Sequence, residues 1–487
     1  MLRASDRLDT AGPLATERAR IRSRLVDPVR SHRHLLVILI LGVTLRLVLL
    51  ANTGSLPLQI VDEQHYAELA SNLLHSYGFA GKSGALTSMR PPLYPVLLAG
   101  VWRLTGSESL QAARAVNILL ALVTVVAVYA LAEKLFDRRT AVLAAAIVCF
   151  YPSFLFSGVL LLTEVLFTLL VVLLALEYQA LMDRPAPGWA ALAGATVGLA
   201  ALTRSVLWPF PIFLVPLLFL SLHESRRRRA YLAFCLVAGY LAVVGPWAAR
   251  NTLLQGTLTI VDTMGGMNLR MGNYEHTPED RMWDAVSLTG DKSWSYALVQ
   301  SHPEARRWTE GQREKWAQRE AVAYMLSHPA TTARRSMLKF LDFWGLEREL
   351  VGGFRQGLYA PPLWFALIAV VATAIAYPLV LLAGLAGFAR AVPSVAGTHL
   401  LVLAIVVLVT GVHSVVFGHS RYHLPLIPFL SIYAAAGFAA APARRLLASP
   451  RVAAGVTFAC VLFIGVWSRE LLFRDADRIR ALLELLR

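Results

Sequence analysis

Apolar runs long enough to cross a bilayer recur along most of this chain. They lie near residues 34–52, 112–133, 140–158, 161–181, 188–203, 206–222, 230–248, 362–388, 398–417, 424–441 and 452–468. A run of roughly 20 such residues spans the hydrocarbon core as a helix, the form in which a lone segment satisfies its own backbone there. The expected fold is therefore an all-α polytopic membrane protein with about 11 transmembrane helices. Composition agrees, with 56% of 487 residues hydrophobic and 16% charged. A soluble domain usually carries about a quarter charged residues.

The net charge of +15 raises the question of nucleic acid. The arginines stand in short runs beside apolar segments, however, which is the pattern that fixes membrane orientation and not that of a nucleic-acid groove. Cys149, Cys235 and Cys460 all lie inside apolar runs and read as packing residues. Residues 1–33 are basic and have no small-residue cleavage site, so they read as a cytoplasmic tail before an uncleaved first span.

Sidedness turns on the short apolar stretch Pro92 to Leu104. If it spanned, Lys134, Arg138, Arg139 and the run Arg226 to Arg229 would flip outward, against the basic bias. Taken as a re-entrant or interfacial helix, it leaves Asp62, Glu63, Arg90, Glu164, Arg204, Arg250, Arg421 and His423 on one outer face. The expected organisation is a membrane module over 34–248 with a first outer loop at 53–111, a long outer loop over 249–361, a second helical block over 362–468, and an amphipathic tail at 469–487. In the long loop a helical pattern runs from about Pro303 to Phe343, breaks at His328-Pro329 and resumes at Thr331. Charge gathered at one face suits an interfacial enzyme better than a conduit, which needs ionisable groups at mid-membrane depth. The interior candidates are few: Arg46, Glu133, Glu177 and His413.

Several outer residues have chemistry to offer. Asp62 and Glu63 point to different sides of their element, so one is free for a reaction centre while the other meets a metal, an amide or an arginine; alternatively they mark a helix start. Tyr66 follows one turn later. Arg90 precedes Pro91-Pro92, which stiffen its approach. That presents a guanidinium to a phosphate, or else a snorkelling arginine to the interface. Glu164 needs a metal, a cation or water, unless Thr163-Glu164 only caps the next helix. Arg204, Arg250, Arg421 and His423 add outer cations that run against the topological bias and together suit one anionic ligand.

These pieces resemble the GT-C superfamily of glycosyltransferases, in the bacterial branch related to protein O-mannosyltransferases and lipid A aminoarabinose transferases. The resemblance runs from the first span to about residue 441. It rests on Asp62-Glu63 with Tyr66, Arg90-Pro91-Pro92-Leu93-Tyr94-Pro95, Tyr151-Pro152, Thr163-Glu164, Gly198 to Arg204, Pro246-Trp247 with Arg250-Asn251, Gly265-Gly266 with Asn268-Leu269 and Gly272-Asn273, and Arg421-Tyr422-His423-Leu424-Pro425. It implies transfer of one sugar, with inversion, from a polyprenyl-phosphate-linked donor to a glycan, lipid or protein acceptor outside a bacterial cytoplasmic membrane. It maps the catalytic carboxylate to Asp62 and the phosphate contact to Arg90. Arg204 and Arg421 are then further phosphate ligands, and Tyr66, Arg250 and His423 supporting residues. Glu63 and Glu164 orient these groups or hold a divalent metal ion, Glu164 standing where the aminoarabinose branch has aspartate. The competing expectations are a lipid-linked saccharide ligase or flippase, and a solute transporter.

Overall fold

The computed structural model describes residues 32–53, 57–279, 282–348, 350, 353, 362–392, 396–439 and 450–474. Residues 1–31 of the basic tail and 475–487 of the expected amphipathic tail lie outside these. The described residues form helices joined by short turns, with one isolated bridge between Ala80 and Leu86.

The first block comprises α1 (Arg33–Thr53), α2 (Val61–Leu74), α3 (Leu93–Thr105), α4 (Leu110–Leu135), α5 (Arg138–Phe150), α6 (Pro152–Ser157), α7 (Glu164–Asp183), α8 (Pro187–Ala201), α9 (Pro211–Ser221) and α10 (Arg226–Gln255). The long loop between the two blocks contributes α11 (Gly265–Gly272), α12 (Tyr296–Ser301), α13 (Glu310–Ser327) and α14 (Pro329–Phe343). The second block holds α15 (Leu363–Ala391), α16 (Thr398–Val415), a 3-10 segment Ser420–Leu426, α17 (Ile427–Ala439) and α18 (Pro450–Arg469).

Among the described residues, eight helices are long and apolar enough to cross a membrane. The run expected near 140–158 is divided between α5 and α6, because Pro152 starts a new helix after extended Tyr151. Those near 188–203 and 206–222 form the shorter helices α8 and α9. Leu93–Thr105 is a 13-residue helix, too short to span alone, as the charge pattern requires. All three cysteines are free.

Local chemistry sets the helix ends. Ser109, Asp137 and Ser225 each accept a backbone N–H in the first turn of α4, α5 and α10. Thr309 and Gln312 form a reciprocal capping box on α13. In the absence of a hydrophobic drive between helices in lipid, close backbone approach holds the bundle. Between α8 and α10, a Cβ on Gly194 would fall 1.8 Å from the Leu236 carbonyl oxygen, and one on Gly239 2.1 Å from that of Ala191.

The long loop is docked by a buried lysine. Lys339 on α14 is fully buried and donates to Asn273 Oδ1 at 2.9 Å and the Val415 carbonyl at 2.7 Å. Burial, with Arg335 nearby, lowers its ammonium from 10.5 to about 7. The unfolded chain takes up this proton first as pH falls. Lys339 should therefore contribute stability that rises between about pH 7 and 10.5 and is flat below. Thermal unfolding across that range checks it: Lys339→Met should flatten the slope, and an unchanged slope would refute the assignment.

Candidate functional site

Four separate stretches of chain meet at one end of the bundle. The Asp62 carboxylate on α2 accepts from Arg90 at 2.7 Å and pairs through its other oxygen with Arg421 at 3.5 Å. Arg421, from the 3-10 segment, also donates through Nε to Glu164. Arg204, just beyond α8, donates to the same Glu164 oxygen at 3.0 Å. The result is a chain of alternating charge: Arg90, Asp62, Arg421, Glu164, Arg204.

Each member is placed by its local structure. Glu164 opens α7, where the positive helix end favours a carboxylate. Thr163 makes no side-chain cap, so the capping alternative gives way to an ion-paired one. Arg204 follows the end of α8 in extended backbone and lies over the rings of Tyr422 and Phe167, at 5.2 and 5.7 Å. Arg90 sits over Tyr66 at 5.6 Å, and Tyr66 packs edge-on against Tyr94. Burial raises the Tyr66 phenol. His65 lies 3.4 Å from Arg90, and burial together with that guanidinium lowers its imidazole. A neutral ring accepts from Arg90 instead of repelling it.

Exposure divides the two acids. Asp62 keeps 27% of its side-chain surface, whereas Glu164 keeps 1%. The three arginine side chains keep 16 to 22%. Asp62 thus faces an accessible cleft, with Glu164 beneath it. Three guanidiniums carry far more N–H donors than two carboxylates accept. Arg90 Nε is a buried donor without a partner, and Glu164 Oε2 a buried acceptor without one. The spare guanidinium donors are what an anion's oxygens would accept from.

Other expected residues stand apart. Glu63 is buried and accepts from the backbone N–H of Leu161 at 2.9 Å and of Ile60 at 3.4 Å. Burial raises its carboxyl, which these amides and Arg114 oppose. Glu63 therefore ties α2 to the turn that delivers Glu164. Arg250 clips the loop between α2 and α3 onto α10, donating to the Thr87 carbonyl at 2.7 Å and lying 4.6 Å from the Trp247 ring centre. His423 is fully buried, with its ring nitrogens on the Phe343 carbonyl at 2.6 Å and Glu347 at 3.0 Å.

A divalent ion at Glu63 or Glu164 would need oxygen atoms free to coordinate it. Among the described residues, no three His, Cys, Asp or Glu groups converge as ligands. Glu164 is taken up by two guanidiniums and Glu63 by backbone amides. As arranged, these two residues do not fit a divalent ion.

Asp262 is a carboxylate the sequence reading missed. Thr263 donates its N–H to the Ser88 carbonyl at 3.0 Å, and Val261 accepts from Trp247 and Asn251, so Asp262 is pinned near Arg90. Burial raises it to about 6, against the pull of Ser205, Met264 N–H and Arg90. Its signal was weak because one acid in Ile260-Val261-Asp262-Thr263 has no motif around it.

The architecture is shared with solved proteins. The oligosaccharyltransferase of Archaeoglobus fulgidus in its apo form superposes with a TM-score of 0.51 at 14% identity, over 88% of this chain and 54% of that one. The two chains share this fold over most of the present one. AglB from the same organism, in complex with an inhibitory peptide and a dolichol-phosphate, gives 0.50 at 14% identity over 90% and 55%. ArnT from Cupriavidus metallidurans bound to undecaprenyl phosphate gives 0.48 at 15% identity over 87% and 62%. The chain spans about half the length of the archaeal structures it matches. Residues 89–249 match the family model for dolichyl-phosphate-mannose-protein mannosyltransferase. That segment holds Arg90, Glu164 and Arg204, while Asp62 and Arg421 lie outside it and join them only through the tertiary fold. A search of curated proteins finds no match.

Proposed function

We propose that this chain is a membrane glycosyltransferase that moves a single sugar, with inversion, from a polyprenyl-phosphate carrier to an acceptor hydroxyl on the outer side of a bacterial cytoplasmic membrane. The observation that carries this reading is the accessible carboxylate held between two guanidiniums, with a third sharing the buried acid beneath. The dolichol-phosphate bound in the archaeal relative, and the dolichyl-phosphate-mannose description of the matching family model, support the donor class.

A phosphate leaving group is weakly basic, so it needs charge stabilisation more than a proton. Arg90, Arg204 and Arg421 supply that. Carrier phosphate oxygens compete with Asp62 for Arg90 and Arg421, which frees the carboxylate toward the acceptor. The acceptor oxygen then attacks the anomeric carbon and its proton passes to Asp62. The bond from that carbon to the phosphate oxygen breaks, and its electron pair stays on the phosphate. Glycan, lipid and protein hydroxyls all satisfy this chemistry.

The direct test supplies a radiolabelled polyprenyl-phosphate sugar to the purified protein in membranes. Label should leave the carrier for a new covalent product. Label that crosses the membrane still attached to its carrier would support a flippase and overturn this reading. Arg90→Ala should weaken binding of a short prenyl phosphate by about 10- to 100-fold, the worth of a charge-assisted hydrogen bond. Arg90→Lys should recover only part, because an ammonium lacks the planar fork. Unchanged affinity in Arg90→Ala would remove that residue from the phosphate site.

A further inference from the structure

The segments that carry the two arginines flanking Asp62 are each held by a different carboxylate of the outer loop. Glu310, the first residue of α13, accepts from the Thr87 hydroxyl through Oε1 and from the Ser88 backbone N–H through Oε2, both at 2.7 Å. Thr87 and Ser88 immediately precede Met89-Arg90. The Ser88 hydroxyl donates to Asn251 Oδ1 at 2.9 Å and accepts from Gln255 at 3.0 Å. Gln255 in turn accepts from the Gly311 N–H at 2.9 Å, next to Glu310. The approach to Arg90 is therefore clamped between α10 and the start of α13.

The exit of the outer loop grips the other side. Glu347 accepts from the Tyr151 hydroxyl at 2.6 Å, from the Ser153 hydroxyl, and from His423 Nε2 at 3.0 Å. His423 lies two residues after Arg421 and stacks on Tyr377 at 4.4 Å with the rings 4° from parallel. Its Nδ1 faces the Phe343 carbonyl, which only accepts, so Nδ1 carries hydrogen. These contacts orient the ring on both edges and one face. The short 3-10 segment that carries Arg421 has its register fixed there, at a ring with no exposed surface.

The geometry points to Glu310 and Glu347 as positioning residues of the anion site, Glu310 acting through Thr87-Ser88 on Arg90 and Glu347 acting through His423 on Arg421. Neither touches the cleft acids. Each holds the backbone from which a phosphate-binding arginine reaches inward, and both belong to the segment between the two helical blocks. The outer loop thereby sets the spacing of the two guanidiniums on Asp62. This inference rests on the phosphate-binding reading above.

The test is a double-mutant cycle read by binding of farnesyl phosphate to the purified full-length protein in detergent. Glu347→Gln should weaken binding about tenfold in the wild-type background, the scale of one charge-assisted hydrogen bond. In an Arg421→Ala background it should have almost no further effect, because the residue it positions is gone. Glu310→Gln should behave likewise in the wild-type and Arg90→Ala backgrounds, and it also serves if Glu347→Gln fails to fold. His423→Gln should follow Glu347→Gln. An equal loss in both backgrounds would mean a general structural role and overturn the inference. Wild-type protein that does not bind farnesyl phosphate, or binding unaffected by Arg90→Ala and Arg421→Ala, would instead overturn the phosphate reading and this inference with it.

Discussion

Asp62→Asn should lower the rate of sugar transfer by roughly 10²- to 10⁴-fold, the usual contribution of a positioned base. The substitution keeps the size of the side chain and one oxygen to accept from Arg90. It removes the charge that Arg90 and Arg421 share, so both guanidiniums become more available to the carrier phosphate. The expected signature is a split: kcat collapses while KM for the carrier holds or falls. Loss of binding alone would give the opposite pattern. Steady-state kinetics with a labelled polyprenyl-phosphate sugar separates the two. Near-normal kcat in Asp62→Asn would end the assignment of Asp62 as base.

Much of this arrangement was readable from the chain because membrane sequences carry strong signals. Span length and arginine placement set the class of fold, and the break at His328-Pro329 falls where α13 gives way to α14. Asp62 and Glu164 stood out as carboxylates costly to hold beside hydrocarbon, and Arg90, Arg204 and Arg421 as outer arginines that also run against the orienting bias. The structure brings these five together. Individual roles were harder to read. Glu63 and Arg250 carry the same kind of charge as Asp62 and Arg90, yet their partners are backbone groups and rings that only tertiary packing supplies. His423 is one residue from Tyr422 and two from Arg421, but the 3-10 segment turns its ring away toward Glu347. Glu310 and Glu347 looked like ordinary loop acids. Their partners lie 223 and 196 residues away, at Thr87 and Tyr151, and no local pattern encodes such pairings.

Glu164→Gln should damage the fold of the site as well as its chemistry. The carboxylate is almost fully buried and receives both Arg204 and Arg421. A glutamine matches its shape and keeps an oxygen where both guanidiniums donate, but the negative charge they share is gone. Arg421 still has the Asp62 carboxylate, whereas Arg204 is left in a mostly buried place without a counter-charge. Breaking one side of such a pair costs about 3–5 kcal/mol, more than the pair itself is worth against apolar replacements. Thermal unfolding in detergent should show a large drop. Arg204→Gln alone should cost less, because Arg421 remains on Glu164 and its other partner Asp62 reaches the cleft. Glu164→Gln combined with Arg204→Gln should recover part of the lost stability, since the unpaired cation is then also removed. It should not recover transfer, because a phosphate ligand is gone. The coupling between the two positions should exceed the roughly 0.5 kcal/mol within which independent sites add. Strict additivity would show that Glu164 and Arg204 do not act as a pair. Recovery of transfer in the double variant would show that Arg204 is not needed at the phosphate. The contrast with Asp62→Asn is diagnostic: the accessible acid should lose rate with its fold intact, and the buried acid should lose both.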